Sequence, residues 1–220
     1  MQNQGRTEYA LEEKILLEIF HKENSVALQD FLLKRRLEGE LIPMGLCKFQ
    51  GLTYQNDLWI IACLMDGWTE GASIMFEEMI RFTPEHVRDF KYKEATLLHW
   101  IWGCPSYNNL DWDLHNNMAQ QVIAVAVDLE VMNSFVEGDE LLAGDWTIRM
   151  GNVRGFELWC SALTDDQFQS YYQNFNRRIL DETGGETQKT MLEILSAREA
   201  LVLNRTLILT TSIDRSSRRF

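Results

Sequence analysis

The chain has 220 residues, a formal net charge of -12, 45% hydrophobic residues and only three prolines. A chain of this length and composition can bury most of its apolar surface, which excludes an intrinsically disordered protein. The acidic balance disfavours nucleic acid and anionic membranes as partners, because both polyanions require a basic surface.

Two pairs of helices are predicted before residue 83. The apolar residues of segments 11–20 and 26–37 each fall on one helical face, with a polar break between the segments. The second pair begins with a helix over 58–65, for which Asn56 is the predicted N-cap. A turn follows, and Thr69 is the predicted cap of the next helix. The pattern is typical of helices joined in pairs by tight turns.

A short helix comes next, and then a segment that repeats the earlier pattern. Thr83, Pro84 and Glu85 form a helix start signal: threonine caps, proline fits the first helical position and glutamate suits the positive end of the helix dipole. Segment 96–102 repeats, forty residues later, the capping residue and apolar helix of segment 56–62. Both segments are therefore predicted to be the first helices of repeats.

The last third of the chain combines a further copy with an irregular insertion. Residues 158–162 repeat the Leu-Trp-x-x-Ala signature of residues 58–62, and residues 164–167 form a capping box that opens a second helix. The glycine-containing segment 137–155 predicts a loop or a small hairpin instead of a helix. After the linker at 181–186, a terminal helix is predicted that can cap the exposed end of a repeat stack.

Residues 96–99, Thr-Leu-Leu-His, carry a family resemblance. They are similar to the Thr-Pro-Leu-His signature of ankyrin repeats, with Leu97 in place of the proline. The resemblance implies that Thr96 caps the first helix of its repeat and that His99 bonds to neighbouring loops. The fold expected is all-α, an ankyrin-like helical-repeat solenoid of about four helix pairs with an irregular insertion and a C-terminal capping helix.

Two domains follow from this interpretation. Residues 1–182 are expected to form the ankyrin-like helical-repeat domain, and residues 183–220 the C-terminal capping helix with a basic tail. Segment 205–211 has the composition of a strand, although it can equally continue the terminal helix.

The cellular compartment is predicted from the cysteines and the N-terminus. The four cysteines form no CxxC pair and lie in or beside apolar segments, which favours buried thiols in a reducing compartment. The N-terminus has no signal-peptide core, and no window approaches 18 uninterrupted apolar residues. We therefore expect a cytoplasmic protein without a membrane partner and without a cofactor.

Protein binding is the function expected from the tryptophans and the fold resemblance. Exposed tryptophan and tyrosine are common anchors of protein interfaces. The expected interface residues, at predicted helix ends or in loops, are Trp68, Trp102, Tyr107, Trp112 and Trp146. The alternative for the tryptophans is that roughly half of them pack under the loops. Acidic side chains are expected to select a partner protein with a basic surface. Divergent ankyrin-like proteins of this size resemble effectors that intracellular bacteria deliver into the host cytoplasm.

Two other functional classes stay open. A metal-dependent enzyme would use Asp111, Asp113 and His115, whose alternation presents three ligands on one side of an extended segment. A thiol enzyme would use Cys104 or Cys160 as the nucleophile and His99 or His115 as its base. The competing interpretation is that an aspartate caps the helix starting near Leu114. An immunity or antitoxin-type protein would instead neutralise one cognate partner. Because no GxxxxGK[ST], GxGxxG or GxSxG motif occurs, no catalytic residue or metal ligand is assigned.

Overall fold

The computed structural model of the protein describes residues 14–38, 59–82, 84–103, 111–136, 139–175 and 177–217. These residues are mostly helical and contain one two-stranded sheet, in agreement with the expected all-α class. The chain divides into two compact units, which we call unit 1 (residues 1–128) and unit 2 (residues 129–220). The expected division at residue 182 lies within unit 2, and the roles assigned to those two domains stay a prediction.

Unit 1 is built from helices that pack around α4. Its helices are α1 (described over 14–21), α2 (Ser25–Leu37), α3 (Trp59–Asp66), α4 (Thr69–Phe82), α5 (Pro84–Arg88), α6 (Leu97–Gly103) and α7 (Trp112–Ala124). Helix α4 packs against α2, α3, α5 and α7, and α6 packs against α3 and α7. The core of the unit therefore lies around α4, between the helices that precede it and those that follow.

Helix α3 has apolar side chains on all its faces. Its residues from Trp59 to Leu64 include no polar side chain, and all from Ile60 to Leu64 are buried. A helix that is apolar all round has to be covered on every side to form stably in water. The covering comes from α4 and α6, and from the ring of Phe20 in α1, which lies 6.2 Å from the Trp59 ring.

Local capping signals set several helix starts of unit 1. The Asn24 side chain accepts a hydrogen bond from the Ala27 amide at the start of α2, so Asn24 opens the second helix of its pair. Asp111 accepts bonds from the amides of Asp113 and Leu114, which confirms the capping interpretation of this aspartate. Pro84 begins α5, as predicted. Segments containing Asn56, Thr83, Cys104 and Tyr107 lie outside the described residues.

The predicted role of Thr69 as an N-cap is wrong. Thr69 is the first residue inside α4, and its side chain is buried. Its hydroxyl lies 3.3 Å from the Nε2 atom of His115 in α7. A tertiary hydrogen bond therefore uses the hydroxyl that the sequence pattern assigned to a local cap.

Unit 2 combines a hairpin with helices. Its elements are β1 (Met132–Val136), β2 (Asp139–Leu142), α8 (Ala143–Arg149), α9 (Val153–Ala162), α10 (Asp165–Asn174), α11 (Arg177–Thr183) and α12 (Gly185–Ser217). The strands are antiparallel, with Met132 opposite Leu142 and an irregular register between Asn133 and Val136. Helix α8 packs against β2, α9 and α11, and α12 packs against α9, α10 and α11.

Part of the insertion at 137–155 belongs to a hairpin, which is one of its two predicted forms. The insertion also contains α8, so the prediction that it has no helix is wrong. A Cβ atom on Gly144 would lie 2.3 Å from the Trp159 ring, so this glycine allows the indole to lie against the helix. Gly151 has a φ of 68° and follows the end of α8. Gly144 and Gly151, two of the glycines that suggested a loop, therefore serve close packing and a helix end.

The remaining predictions for unit 2 concern its helix starts and its C-terminal segment. Thr164 and Gln167 form the predicted capping box: the Gln167 amide donates to the Thr164 hydroxyl and the Thr164 amide donates to the Gln167 side chain. Segment 205–211 continues α12, so the helical alternative is correct and the strand alternative is wrong. Within the described ranges, no helix has both the length and the apolar character that crossing a membrane requires.

Candidate functional site

Three segments of unit 1 form what we call the elbow edge: residues 22–24 between α1 and α2, residues 66–70 between α3 and α4, and residues 111–113 at the start of α7. The first two turns lie close together around Cys63 of α3. Burial raises the pKa of the Cys63 thiol, and the nearby carboxylates of Asp66 and Glu23 raise it further. Both carboxylates therefore lie near the same buried thiol, on two consecutive turns, and the thiol itself is unreactive.

His115 of α7 connects this helix to α6 and to the start of α4. Its Nδ1 atom donates to the carbonyl of Ile101 at 2.6 Å, and its Nε2 atom accepts from the Thr69 hydroxyl at 3.3 Å. Burial lowers the pKa of His115, although the bond to Ile101 and the charge of Asp111 oppose this effect. Both ring nitrogens are occupied within unit 1, so this histidine is a closed polar centre.

The surface of the elbow edge is acidic. Its exposed carboxylates are those of Glu23, Asp66, Glu70, Asp111 and Asp113. The one lysine of these turns, Lys22, forms an ion pair with Glu18 at 2.6 Å. The negative charge of the edge is therefore in excess.

Two predicted interface residues, Trp68 and Trp112, belong to the elbow edge, and Trp112 is the more exposed of the two. Trp112 is half-buried, and its ring meets the His115 ring edge-on, with 5.6 Å between the centroids. Asp111 and Asp113, on either side of it in the chain, are both exposed. An aromatic side chain thus lies among carboxylates, a combination that suits a protein interface.

The expected exposure of three other interface residues is wrong. Trp68 is 5% exposed, Trp146 is 4% exposed and Trp102 is completely buried. Their rings pack inside their own units because a large indole gains more free energy in the core than at a helix end. Tyr107 lies outside the described residues, so its predicted role stays a prediction.

The metal-site alternative with Asp111, Asp113 and His115 finds no geometric support, and Cys104 lies outside the described residues. His115 bonds inward, and Asp111 uses its carboxylate to cap α7. In the described part of the chain, no three histidine, cysteine, aspartate or glutamate side chains form a group that could hold a metal ion. Cys160 is buried, and burial raises the pKa of its thiol to about 12, so it is not an activated nucleophile.

The Thr-Leu-Leu-His segment forms a local bonded motif at the start of α6. The hydroxyl of Thr96 lies 2.8 Å from the His99 Nδ1 atom, and the Thr96 amide donates to the same nitrogen at 3.2 Å. Just before it, Tyr92 and Ala95 form a small antiparallel bridge whose two central residues, Lys93 and Glu94, have positive φ. A tight turn therefore leads directly into the helix that carries the motif.

Unit 2 contains a second buried polar centre, which the sequence did not reveal. The Tyr171 hydroxyl donates to Asp145 Oδ1 at 2.8 Å, and the Leu142 amide donates to Asp145 Oδ2 at 3.0 Å. Burial raises the pKa of Asp145, and the two hydrogen bonds oppose that rise. Burial and the neighbouring Asp145 also hold the pKa of Tyr171 well above its ordinary value.

An acidic residue three positions after Leu142 is a recognisable helix-start signal. It would have pointed to Asp145 if segment 143–149 had been predicted as a helix. Its pairing with Tyr171, 26 residues further along the chain, has no local signal.

Neither a protein-family model nor a curated protein nor a solved structure matches this chain.

Proposed function

We propose that this protein binds another protein, and that unit 1 is an ankyrin-like helical-repeat stack of three helix pairs, α1–α2, α3–α4 and α6–α7. The first helices of the pairs adjoin in series: Phe20 of α1 contacts Trp59 of α3, and α3 packs against α6. The second helices do the same, because α4 packs against both α2 and α7. Packing of each pair against its neighbours is what a stack of repeats requires.

The bonded Thr96–His99 motif supports the ankyrin-like interpretation. It lies at the start of the first helix of the third pair, directly after the Tyr92–Ala95 turn. Unit 2 offers no comparable support for a fourth pair, since α9 packs against α8 and α12. The proposal therefore places the repeats in unit 1.

The observation that carries the binding proposal is the acidic elbow edge with Trp112 in its midst. Loops that a rigid scaffold brings to one edge are common binding surfaces in repeat proteins. Exposed carboxylates accelerate the encounter with a basic partner and disfavour acidic ones, and a half-buried tryptophan adds apolar contact area. The partner is accordingly a protein with a basic surface.

The effector and the immunity-type interpretations both fit this proposal and differ only in the partner. An effector would bind a host protein. An immunity or antitoxin-type protein would bind one cognate bacterial protein very tightly. A test of the proposal should therefore offer both kinds of partner.

The experiment is affinity capture of the tagged full chain from a eukaryotic and a bacterial lysate under reducing conditions. The test variant reverses three charges of the elbow edge: Asp66→Lys, Glu70→Lys and Asp113→Lys. We expect the wild type to enrich a basic protein whose capture weakens as salt increases, and the variant to lose it.

A matched variant reverses three exposed carboxylates of unit 1 outside the elbow edge, Asp30→Lys, Glu77→Lys and Glu85→Lys, and so makes the same change in net charge. It should retain the partner. Equal loss in both variants would show that total charge, and not the elbow edge, selects the partner. Capture that survives reversal of the elbow edge would refute the proposal.

A further inference from the structure

Unit 2 contains a cleft that the proposed function does not use. Its volume is about 410 Å³, and its walls come from both strands of the hairpin and from α8, α9, α10 and α11. A cleft of this size falls within the range of small-molecule sites. Met132 in β1 belongs to its wall and is 52% exposed, so a flexible apolar side chain is available there to adapt to a ligand.

Asp145 provides the buried charge of this cleft. Its carboxylate accepts one hydrogen bond at each oxygen, from Tyr171 and from the backbone of Leu142. A carboxylate has about four acceptor positions, so these two bonds leave capacity for a donor from a ligand. Helix α8 and the Tyr171 hydroxyl hold the carboxylate in a fixed position.

The rings of Tyr171 and Phe175 form a wall of the same cleft, and the completely buried Trp159 ring packs against Tyr171. The Trp159 and Tyr171 rings have centroids 6.4 Å apart and meet at 76°, and the Tyr171 and Phe175 rings have centroids 5.5 Å apart and meet at 61°. Rings at such steep angles form a folded wall instead of a flat stack. Aromatic faces carry negative electrostatic potential and attract organic cations.

The charge of the lining also favours a cation. Glu140 and Asp145 contribute carboxyl groups to the lining. Arg198 of unit 2 donates to the carbonyl of Leu163 and forms an ion pair with Asp165. The two carboxyl groups favour a cation as the ligand.

We propose that this cleft binds a small organic ammonium ion, with the charged nitrogen directed to Asp145 and its alkyl groups against the rings of Tyr171 and Phe175. An inorganic cation would gain nothing from the apolar and aromatic lining. A neutral apolar molecule would leave the remaining acceptor positions of the Asp145 carboxylate unused. An alkylated ammonium ion satisfies both parts of the lining, as in other aromatic cages.

Calorimetric titration of the full chain with two matched probes tests this proposal. Choline carries a trimethylammonium group, and 3,3-dimethylbutan-1-ol replaces its nitrogen with carbon and is neutral. At about pH 8, where exposed carboxyl groups are ionised, we expect choline to bind roughly tenfold more tightly than the alcohol. Equal affinities, or no binding of choline up to about 10 mM, would overturn the proposal.

Two single substitutions separate the charge of Asp145 from charge elsewhere on the unit. Asp145→Asn removes the charge, while the amide oxygen can still accept from the Leu142 amide and the amide nitrogen can donate to the Tyr171 oxygen. Asp166→Asn makes the same change on the exposed side of α10, outside the cleft lining. We expect Asp145→Asn to abolish the preference for choline and Asp166→Asn to retain it. An unchanged preference in folded Asp145→Asn would contradict the proposal.

Phe175→Leu keeps the proposal testable if Asp145→Asn fails to fold. Phe175 is half-buried at the end of α10, so leucine can replace it without emptying the core. Loss of one ring should weaken choline binding several-fold and leave binding of the neutral alcohol nearly unchanged. Equal weakening of both probes would show that Phe175 contributes only apolar contact, and it would overturn the role of the aromatic wall.

Discussion

His115 in unit 1 and Asp145 in unit 2 are both buried titratable groups, but their surroundings differ. His115 uses both ring nitrogens in bonds that connect α7 to α6 and to α4. Asp145 also has two partners, yet it lines a cleft and retains acceptor positions. The first arrangement fixes the packing of helices, and the second leaves chemistry available to a ligand. Burial of a titratable group therefore does not by itself indicate a binding site.

Substitution of Trp102 should cause the largest loss of stability, because it removes a buried ring that packs beside the His115 centre. The ring is fully buried, and its Nε1 atom donates to Asn116, next to His115. Trp102→Ala should lower the free energy of unfolding by about 3–5 kcal/mol, whereas the half-buried Trp112→Ala should cost only about 1 kcal/mol. Urea denaturation followed by circular dichroism measures both. Similar losses for the two variants would contradict the burial difference between them.

Addition of a methyl group at Gly144 should have the next largest effect. A Cβ atom there would lie 2.3 Å from the Trp159 ring, and Gly71 in unit 1 has the same relation to the Trp68 ring. Gly144→Ala and Gly71→Ala should each reduce stability by about 1–3 kcal/mol, because the rings have to shift. Thermal melts measure the loss for each variant.

The two glycine variants should differ in ligand binding. Gly144→Ala moves Trp159, which packs against the Tyr171 ring of the cleft wall, and should weaken choline binding as well as stability. Gly71→Ala acts on unit 1 and should leave choline affinity unchanged. Unchanged choline affinity in both variants would show that the position of Trp159 does not affect the ligand wall.

Acidification should produce the smallest effects, and they should have opposite signs in the two units. The pKa of His115 is lowered from 6.5, so the unfolded chain binds a proton that the folded chain does not. Its contribution to stability is present above pH 6.5 and is lost as the pH falls through this value. The pKa of Asp145 is raised from 3.8, so its contribution increases as the pH falls from the raised value toward 3.8. Each slope is at most about 1.4 kcal/mol per pH unit.

Substitutions at His115 and Asp145 show which residue causes each pH dependence of the unfolding free energy. Urea denaturation of His115→Gln across pH 5–8 should show less acid destabilisation than the wild type, and Asp145→Asn should lose the opposing gain at lower pH. Tyr171 and Cys160 face Asp145 from α10 and α9, but their pKa values are raised and they stay neutral throughout. Glu130 and Glu140 in the cleft lining are retained in both variants and provide a common background.

Features that depend on nearby residues could be predicted from the sequence. The cap formed by Asp111, the capping box that starts at Thr164 and the first-turn proline Pro84 each depend on residues within one helical turn. The mostly helical character follows from the apolar periodicity. These features need no knowledge of distant neighbours.

Features that depend on tertiary neighbours could not be predicted from the sequence. Gly144 predicts a loop when only the sequence is considered. In the structure it is a helical residue whose missing side chain leaves room for the Trp159 ring on the next helix. Trp68, Trp102 and Trp146 were expected at the surface because they lie near helix ends, and packing within their units buries them. The bond between Tyr171 and Asp145 joins residues far apart in sequence, so no periodicity or motif reveals it.

The central claim is that the Asp145 carboxylate has acceptor positions left for an organic cation, whereas both ring nitrogens of His115 are already bonded within unit 1. The most direct test is an NMR titration that follows the Asp145 carboxyl carbon and the His115 ring against pH, with and without choline, assigned with Asp145→Asn and His115→Gln. We predict that Asp145 titrates above 3.8 and His115 below 6.5. Choline should lower the pKa of Asp145 and leave that of His115 unchanged. An Asp145 pKa that choline does not move, or that already lies at or below 3.8, would contradict this account.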